Sequence, residues 1–497
     1  MPCFPPAVGI DLGTTYSVIA IRTEAGMQVL RDEDDRALVP SAVYFAPDGS
    51  VLVGRAAQAF QHADPDHFIF NAKRFIGRSL DDAAVADQAP SHPFSIVPNA
   101  TSSLSGAWFG SPVGRVMTPA RVKAKRHPAV EMASFVAAKI AKAFESKTRA
   151  YAPGGGGIGL GGLEPAQDFS APRRSVSPES VGAHVLRRLL DMAALRLGHR
   201  QISKAVMAVP AKFNAEQRRA TVEAYKQAGL RVMRIIEEPT AAALAYGLDK
   251  KPNVDYILVY DFGGGTLDVS LLFVNKESVQ VIATHGDDRL GGADFDQCVA
   301  ASLSARLYKR GVDLSRPNPC GSVDHRARLQ ASALRVKGDS DEMGAAEAAE
   351  AARRGGVSSV PPCSPSTVRQ AAERLKRDLS SFAEATAACV APGASTGATL
   401  VTSEAEGGCG VVEVALTRVE FESECAVLFG RGLGPVEELL SEALMPRSEI
   451  DEVVLVGGST RMPRVRADLK VFFGLEHLNQ EIDPDLTIAL GAASIVD

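Results

Sequence analysis

The sequence predicts an α/β protein built from two related halves. Runs of β-branched residues alternate with runs of helical periodicity, which is the pattern of βα units and hairpins. One short motif, an apolar strand that ends in Asp, turns through Gly and Thr and returns as an apolar strand, occurs at Asp11 and again at Asp261. With 497 residues, the chain is long enough for about two to four packed units.

The first elements in chain order are a hairpin and a long helix. Residues 8–11 and 18–22 are rich in β-formers and flank a Leu-Gly-Thr-Thr turn, so we expect them to pair as a hairpin. Ser177 can cap a helix with Pro178 in its first turn, and Gly198 can end this helix.

The signals for helices and strands continue after this helix. Asn214 is expected to cap a helix over 215–228, and Gln217 completes a capping-box pair. Gly and Pro separate the remaining apolar runs. From these runs we expect a helix at 240–246 and strands at 205–209, 232–236, 256–260, 269–273 and 452–456.

Charge and composition exclude several classes of protein. The 54 Lys and Arg residues against 59 Asp and Glu give a net charge of −5, so nucleic acid and an anionic membrane are not expected as partners. No uninterrupted apolar run approaches the ~18 residues that a membrane helix needs. The 45% hydrophobic and 23% charged residues are typical of a globular protein.

The use of cysteine favours a reducing compartment. There are seven cysteines without any CxxC pair, and the first 297 residues contain only Cys3. We therefore expect neither a disulfide framework nor a thiolate zinc site. Because the N-terminus lacks a basic segment followed by an apolar stretch, we expect no signal peptide and a cytoplasmic location.

Four segments depart from the alternating pattern. Residues 151–176 are rich in Gly, Pro and Ser, 311–366 and 391–411 contain clusters of Ala, Gly, Ser and Pro, and 81–128 is weakly patterned. We interpret all four as surface insertions without a recognisable binding motif.

The repeated motif has the chemistry of a phosphate-binding loop. Its copies are Val-Gly-Ile-Asp-Leu-Gly-Thr-Thr at 8–15 and Leu-Val-Tyr-Asp-Phe-Gly-Gly-Gly-Thr at 258–266. Glycines let backbone amides approach an anion, and threonine hydroxyls can donate to phosphate oxygens. One such turn is ordinary in hairpins, but two in one chain favour a nucleotide held between two related lobes. Neither copy fits the P-loop or the dinucleotide-binding fingerprint.

The acidic residues around these motifs predict a divalent cation. Asp11, Asp261, Asp268 and Glu238 would converge on a polyphosphate, and two like charges about 6 Å apart repel by roughly 3 kcal/mol at an effective dielectric of about 20. Mg²⁺ is the usual hard cation for such oxygens. Lys73, in a basic segment, can add positive charge.

These residues resemble the heat shock protein 70 (DnaK-type) family. The stretches that carry the resemblance occur in the family's order: IDLGTTYSV, NAKRFIGR, VPAKFN, EEPTAAALAYGL, YDFGGGTLDVSLL, LGGADFD, AERLKRDLS and VVLVGGSTRMPRV. The combination of SPESVG, GTLDVSLL, EIDEVVLVGGSTR and DPDL looks closest to the Stch branch, which has the ATPase domain without a peptide-binding domain. The resemblance implies an actin-like, sugar-kinase-like two-lobed ATPase fold, made of duplicated ribonuclease-H-like domains with the nucleotide in the interlobe cleft.

The resemblance also implies domain boundaries. Lobe I would comprise residues 1–251, with an outer subdomain at about 40–177. Lobe II would comprise 252–479, with an outer subdomain at about 291–412. Residues 480–497 would return to lobe I.

The family's site residues carry over to matching positions in this sequence. The resemblance implies that Asp11 and Asp261 order the hydration shell of Mg²⁺ and that Lys73 stabilises the γ-phosphate and the attacking water. Glu238 and Asp268 would complete the catalytic group. K⁺ is a further candidate cofactor. The residues that would bind the phosphates and the adenosine of ATP or ADP are Gly13, Thr14, Thr15, Tyr16, Gly263, Gly264, Gly265, Thr266, Gly292, Glu373, Lys376, Arg377, Ser380, Gly457, Gly458, Ser459, Arg461 and Asp485.

Other positions belong to a relay or depart from the family pattern. Pro210 and Arg218 would form part of an interlobe relay that senses the nucleotide. Glu237 stands where the family usually has Asn, and we expect it to add an acidic group near the site. Ala293 and Leu490 replace an acid and a Tyr that are frequent in the family.

The function that the resemblance implies is slow, Mg²⁺-dependent ATP hydrolysis related to chaperones, protein folding and the stress response. J-domain co-chaperones and nucleotide-exchange factors are the expected partners, with unfolded clients reached only indirectly by a monomer. Stch-like relatives make the endoplasmic reticulum the alternative location if the N-terminus is incomplete. Two other functions stay open: a non-hydrolysing, nucleotide-dependent module that titrates co-chaperones, and a small-molecule kinase of the same fold.

Overall fold

Two β-sheets, one from each half of the chain, form the frame of the protein. The computed structural model describes residues 7–61, 63–98, 107–110, 175–198, 202–275, 278–320, 323–324, 359–392 and 409–496. The strands in these residues are β1 (Ala7–Leu12), β2 (Tyr16–Thr23), β3 (Gly26–Val29), β4 (Val39–Pro40), β5 (Ala42–Phe45), β6 (Val51–Val53), β7 (Phe68–Phe70), β8 (Ser95–Pro98), β9 (Ala107–Gly110), β10 (Lys204–Val209), β11 (Arg231–Glu237), β12 (Tyr256–Phe262), β13 (Leu267–Asn275), β14 (Ser278–Asp287), β15 (Val323–Asp324), β16 (Ser359–Val360), β17 (Glu384–Pro392), β18 (Cys409–Thr417) and β19 (Glu452–Val456).

Helices pack around both sheets. They are α1 (Arg55–Gln58), α2 (Ala83–Gln88), α3 (Pro178–Arg196), α4 (Ala215–Gln227), α5 (Glu238–Ala245), α6 (Gly292–Lys309), α7 (Pro365–Ser381), α8 (Arg418–Glu424), α9 (Ala426–Arg431), α10 (Gly434–Glu442), α11 (Pro463–Phe473) and α12 (Thr487–Ser494). Short 3-10 helices include Ala72–Arg74 and Gly458–Arg461. Within the described part of the chain, no helix is both long and apolar enough to cross a membrane.

The two sheets repeat one plan. The first has the order β11-β10-β1-β2-β3, with β4 beside β2, and the second has the order β14-β13-β12-β19. In each sheet an antiparallel hairpin, β1–β2 or β12–β13, is flanked on its first strand by a parallel strand, β10 or β19. We call the elements β1–β11 with α1–α5 lobe I and β12–β19 with α6–α11 lobe II. This is the expected two-lobed, duplicated α/β fold.

Helix α12 packs on lobe I although it follows lobe II in the chain. It contacts β1, β2 and α5. A Cβ atom at Gly491 would clash with the carbonyl oxygen of Ala241, so only glycine allows α12 to approach α5 this closely. The packing agrees with a C-terminal return to lobe I, while the expected boundaries at 251 and 479 stay predictions.

The caps predicted from the sequence are present. The Ser177 hydroxyl accepts the amide of Ser180 at 3.1 Å at the start of α3. At the start of α4, Asn214 Oδ1 accepts the amide of Gln217 at 2.9 Å, and the Gln217 side chain accepts the amide of Asn214 at 3.1 Å. The bounds of the predicted strands and helices are also confirmed to within a few residues.

The segment 81–128 was expected to be an insertion, and its described part is not irregular. Helix α2 and strands β8 and β9 lie in it, and Val85, Phe94 and Phe109 are buried in the core of lobe I. Their apolar side chains lack a strong sequence period, which is why the pattern did not reveal them. Most of the other expected insertions, 151–176, 311–366 and 391–411, lies outside the described residues.

The expectation that the chain has no disulfide framework is wrong. All six cysteines in the described residues are paired within lobe II. The pairs are Cys298–Cys425, Cys320–Cys409 and Cys363–Cys389, with sequence separations of 127, 89 and 26 residues. Because the partners are brought together by the fold and not by local spacing, the absence of CxxC pairs carried no information about them. The argument for a reducing compartment therefore loses its support.

Candidate nucleotide-binding site

The two glycine–threonine hairpins face each other across the cleft between the lobes. The turn at Gly13 is held by Ser41, whose hydroxyl donates to the Gly13 carbonyl at 2.8 Å. The turn at Gly263 closes through a bond from its amide to the carbonyl of Thr266 at 3.0 Å. A Cβ atom at Gly264 would clash with Thr15 Oγ1, so the two loops approach each other closely.

Behind the loops, Lys73 pairs with Glu238. Lys73 lies in the 3-10 helix Ala72–Arg74, and Glu238 is the first residue of α5, so both groups belong to lobe I. Lys73 Nζ donates to Glu238 Oε1 at 2.6 Å, and each side chain is 12% exposed. Burial alone would lower the pKa of Lys73, but Glu238, Asp11 and Asp261 raise it above its usual value. Lys73 is therefore a permanent positive charge inside the cleft.

Two buried carboxyl groups end the first strands of the two hairpins. Burial raises the pKa of Asp11 to about 7, with Lys73 opposing the shift and Glu238 and Asp485 adding to it. Burial also raises the pKa of Asp261 well above its usual value, and Glu238, Asp268 and Asp11 raise it further. The carboxyl groups of Asp11, Asp261 and Glu238 thus surround a single lysine, Lys73.

This charge and its oxygen donors fit a hydrated Mg²⁺ ion. Carboxylate oxygens are the ligands that Mg²⁺ takes, and it retains several of its waters. In the described part of the chain no three His, Cys, Asp or Glu residues come together as a direct metal cage. Asp11 and Asp261 are the residues that would hold the ion, largely through its water shell.

Helix α7 forms one wall beyond the phosphate loops. Lys376 Nζ donates to the Gly292 carbonyl at 2.8 Å and pairs with Asp296 at 2.7 Å, which ties α7 to the start of α6. Burial and then Glu373 raise the pKa of Tyr16, while Arg377 lowers it, so these residues of α7 face the first loop. The hydroxyl of Ser380 donates to the Lys376 carbonyl of its own helix at 3.2 Å.

The segment after β19 forms the opposite wall. Ser459 Oγ donates to the Gly263 carbonyl at 2.8 Å, which joins this segment to the second phosphate loop. Arg461 forms ion pairs with Asp483 and with Asp485, the latter at 3.1 Å. A Cβ atom at Gly458 would lie 3.1 Å from Asp485 Oδ1. The sequence-predicted residues of both walls thus converge on one cleft, while their roles towards a nucleotide stay proposals.

The negative charge of Glu237 is balanced by an ion pair with Arg218. Its Oε1 accepts a bond from Arg218 at 2.8 Å, and Arg218 also donates to the carbonyls of Ala211 and Phe213 at 3.1 and 2.9 Å. The expected extra negative charge near the site is therefore balanced within lobe I. The same bonds fix the turn that follows Pro210.

Two basic side chains at the cleft were missed by the sequence analysis. Lys212 Nζ pairs with Asp268 Oδ1 at 3.1 Å, and both line an open pocket of about 350 Å³ with Glu238 and Asp261. Arg74 donates to the carbonyl of Asp288 at 3.4 Å. Only their location in the segments NAKRFIGR and VPAKFN, which carry other site residues, gave a signal for them.

Facing glycine–threonine hairpins on two related sheets, with a buried lysine and carboxylates between them, define a two-lobed nucleotide-binding protein of the actin-like ATPase fold. The family model described as "Hsp70 protein" matches residues 7–134, 165–342 and 363–497. The chain therefore belongs to the Hsp70 family.

Curated relatives agree with this assignment. The chain is 33% identical over 493 residues to a ribosome-associated molecular chaperone of Eremothecium gossypii and to one of Saccharomyces cerevisiae. It is 32% identical to a ribosome-associated molecular chaperone of Candida glabrata. These alignments cover 99% of this chain and 61% of each relative. The chain thus spans about three fifths of the length of the curated relatives it matches.

Proposed function

We propose that the protein binds ATP with Mg²⁺ in the cleft between its lobes and hydrolyses it slowly, as the nucleotide-binding core of a chaperone. The observation that carries this proposal is the Lys73–Glu238 pair, which lies beside Asp11 and Asp261 between the two phosphate hairpins. Such a site needs no strong base, because hydrolysis of a phosphoryl group depends mainly on positioning and on neutralisation of charge.

The chain's own groups have distinct tasks in this reaction. The backbone amides and hydroxyls of the two hairpins would hold the β- and γ-phosphates from both lobes. Lys73 would place its ammonium group on the γ-phosphate, where negative charge is spread in the transition state. Glu238 would orient Lys73, and Asp268 would help to orient the attacking water. When bound, Mg²⁺ supplies charge neutralisation at the phosphate oxygens.

The two walls would enclose the adenosine. Glu373, Lys376, Arg377 and Ser380 of α7 would lie on one side, and Gly457, Gly458, Ser459 and Arg461 on the other. Gly292 couples the second phosphate loop to this wall, because its amide donates to the Gly263 carbonyl at 3.1 Å and its carbonyl accepts Lys376. Adenosine binding would thus be linked mechanically to the phosphate loop of lobe II.

Partners and location are also proposals. The relatives are named ribosome-associated molecular chaperones, which supports a role in protein folding and a cytoplasmic location. J-domain co-chaperones and nucleotide-exchange factors are the partners that we propose from membership of the Hsp70 family. Disulfides are rare in cytosolic proteins, so the oxidation state of the six paired cysteines is a direct test of the proposed location.

The test is single-turnover hydrolysis of labelled ATP by the purified chain, with and without Mg²⁺. We expect Mg²⁺-dependent cleavage in the unaltered protein and a loss of about 10²-fold or more in Lys73→Ala and Asp261→Asn. The exposed residues Lys226 and Asp48 provide the matched controls Lys226→Ala and Asp48→Asn, which should cleave normally. Tight ATP binding without cleavage would refute the enzyme and favour a nucleotide-gated interaction module.

A further inference from the structure

Lys212 and Asp268 join the two lobes across the floor of the cleft. Lys212 lies in the turn after β10 of lobe I, and Asp268 lies on β13 of lobe II. Their 3.1 Å ion pair lines the open pocket behind the phosphate loops. We propose that Lys212 is a positioning residue that fastens lobe II to lobe I and thereby sets the spacing of the two phosphate hairpins. This role rests on the proposed nucleotide site.

A glycine on β14, Gly286, leaves space for the Lys212 side chain beside Asp268. Gly286 on β14 is the ladder partner of Asp268 on β13. A Cβ atom at Gly286 would lie 2.4 Å from the carbonyl oxygen of Leu267, 2.5 Å from Lys212 Nζ and 3.1 Å from Asp268 Oδ1. Glycine at 286 thus allows both the neighbouring strand and the lysine ammonium group to approach closely at this position.

The turn that carries Lys212 is anchored within lobe I. Arg218 binds the carbonyls of Ala211 and Phe213, which are the two neighbours of Lys212 in the chain. Arg218 also pairs with Glu237, and Glu237 immediately precedes Glu238, the partner of Lys73. The position of Lys212 is therefore coupled to the same short segment of lobe I that positions Lys73.

The charges of the cleft support this assignment. Asp268 lies directly opposite Asp261 in the β12–β13 ladder. Lys73 balances Glu238, and Lys212 balances Asp268. Lys212 thus places a positive charge beside the carboxylate that lies opposite Asp261.

A second contact between the lobes limits the size of the effect. Arg74 of lobe I reaches the second phosphate loop, where a Cβ atom at Gly265 would clash with its guanidinium group, and donates to the carbonyl of Asp288. The lobes therefore stay together without Lys212. Because the Lys212–Asp268 pair is about a third exposed, we expect its loss to change rates by about threefold to fivefold.

The test compares Lys212→Met with Lys212→Arg, Asp268→Asn and the double variant Lys212→Met/Asp268→Asn. Release of a fluorescent ADP analogue should be about threefold to fivefold faster in Lys212→Met, and single-turnover cleavage of saturating ATP slower by a similar factor. Lys212→Arg, which keeps the positive charge, should retain both rates of the unaltered chain. Since Lys212 acts through Asp268, the double variant should match Asp268→Asn alone. Lys226→Met is the control for the loss of a lysine.

Amide hydrogen exchange in the nucleotide-free protein provides a readout that requires neither binding nor catalysis. Residues 262–268 should exchange faster in Lys212→Met than in the unaltered chain or in Lys226→Met. The proposal is overturned if Lys212→Met leaves all three measurements unchanged, or if it impairs the Asp268→Asn protein as much as the unaltered one. If the unaltered chain binds ADP without cleaving ATP, the ATPase proposal fails while release and exchange still test Lys212.

Discussion

Lys73 and Glu238 depend on each other because both are nearly buried. A buried charge that loses its partner is strongly destabilising, so a variant at either position changes the local fold as well as the chemistry. Asp11 and Asp261 add repulsion around Glu238 when Lys73 is removed. The loss of activity in Lys73→Ala is therefore meaningful only with unfolding measured on the same sample, which separates a damaged site from a damaged lobe.

His184 on α3 makes lobe I sensitive to acid. Its ring packs edge-on against Phe45 at 5.7 Å between centroids, and burial, followed by the charge of Arg187, lowers its pKa from 6.5 to about 4. Between pH 6.5 and about pH 4, His184 is therefore protonated in the unfolded chain and neutral in the folded chain. The stability present above pH 6.5 is lost as the pH falls towards 4, by about 2 kcal/mol between pH 7 and pH 5.

Urea unfolding at pH 7 and pH 5 measures this effect. His184→Gln, which cannot be protonated, should lose about 2 kcal/mol less on acidification than the unaltered chain. His477→Gln, at an exposed histidine, should behave like the unaltered chain. An equal loss in His184→Gln and the unaltered chain would show that another group carries the acid sensitivity.

At the scale of elements, the three disulfides staple lobe II. Cys298–Cys425 ties α6 to the junction of α8 and α9, Cys320–Cys409 ties the segment after α6 to β18, and Cys363–Cys389 ties the start of α7 to β17. Since α6 and α7 carry Gly292 and the Glu373–Ser380 wall, these bonds hold the proposed adenosine side of the cleft.

We expect peptide mapping without reductant to recover all three pairs. Cys363→Ala/Cys389→Ala should lower the free energy of unfolding by about 3 kcal/mol, as expected for the closure of a loop of this length. The same variant should match the unaltered protein once both are fully reduced. Recovery of free thiols from the natively produced chain would contradict the pairing and favour the reducing, cytoplasmic environment.

Elements set by local chemistry could be predicted from the sequence. The side chains of Ser177, Asn214 and Gln217 accept hydrogen bonds from amides three residues away, so these caps can be recognised from a short stretch of sequence. The disulfides join residues up to 127 apart, and their pairing depends on how α6, α7 and the β17–β18 hairpin pack. That information exists only in the folded chain.

The candidate site divides in the same way. The repeated Asp–Gly–Thr turn revealed both phosphate hairpins, because each is a contiguous motif. The Lys212–Asp268 pair was not predicted, since a single lysine in a turn has no pattern and its partner lies on the other lobe. The ion pair between Glu237 and Arg218 was also missed, because Arg218 lies on a different element.

For the whole molecule, a nucleotide bound in the cleft would affect stability because the cleft lies between the two lobes. Each lobe has its own sheet and core, and a third buried cluster joins them, because Val206 and Ala208 of lobe I and Ile257 and Val259 of lobe II belong to one apolar cluster with α5. The lobes also touch through the loops at Thr15–Gly264, the Lys212–Asp268 pair and Arg74. A nucleotide that contacts both phosphate hairpins would add a further connection between the lobes.

A ligand that binds only the folded chain stabilises it by an amount that grows with the logarithm of the ligand concentration relative to the dissociation constant. At about 100 times the dissociation constant, Mg²⁺ with ADP should raise the free energy of unfolding by about 2.7 kcal/mol. ADP without Mg²⁺ should give a smaller increase, because Asp11 and Asp261 then face the phosphates uncompensated. Asp261→Asn should reduce the difference that Mg²⁺ makes, while Asp48→Asn should retain it. An equal stabilisation with and without Mg²⁺ would contradict the proposed Mg²⁺ site, since the carboxylates would then not require a cation for ADP to bind.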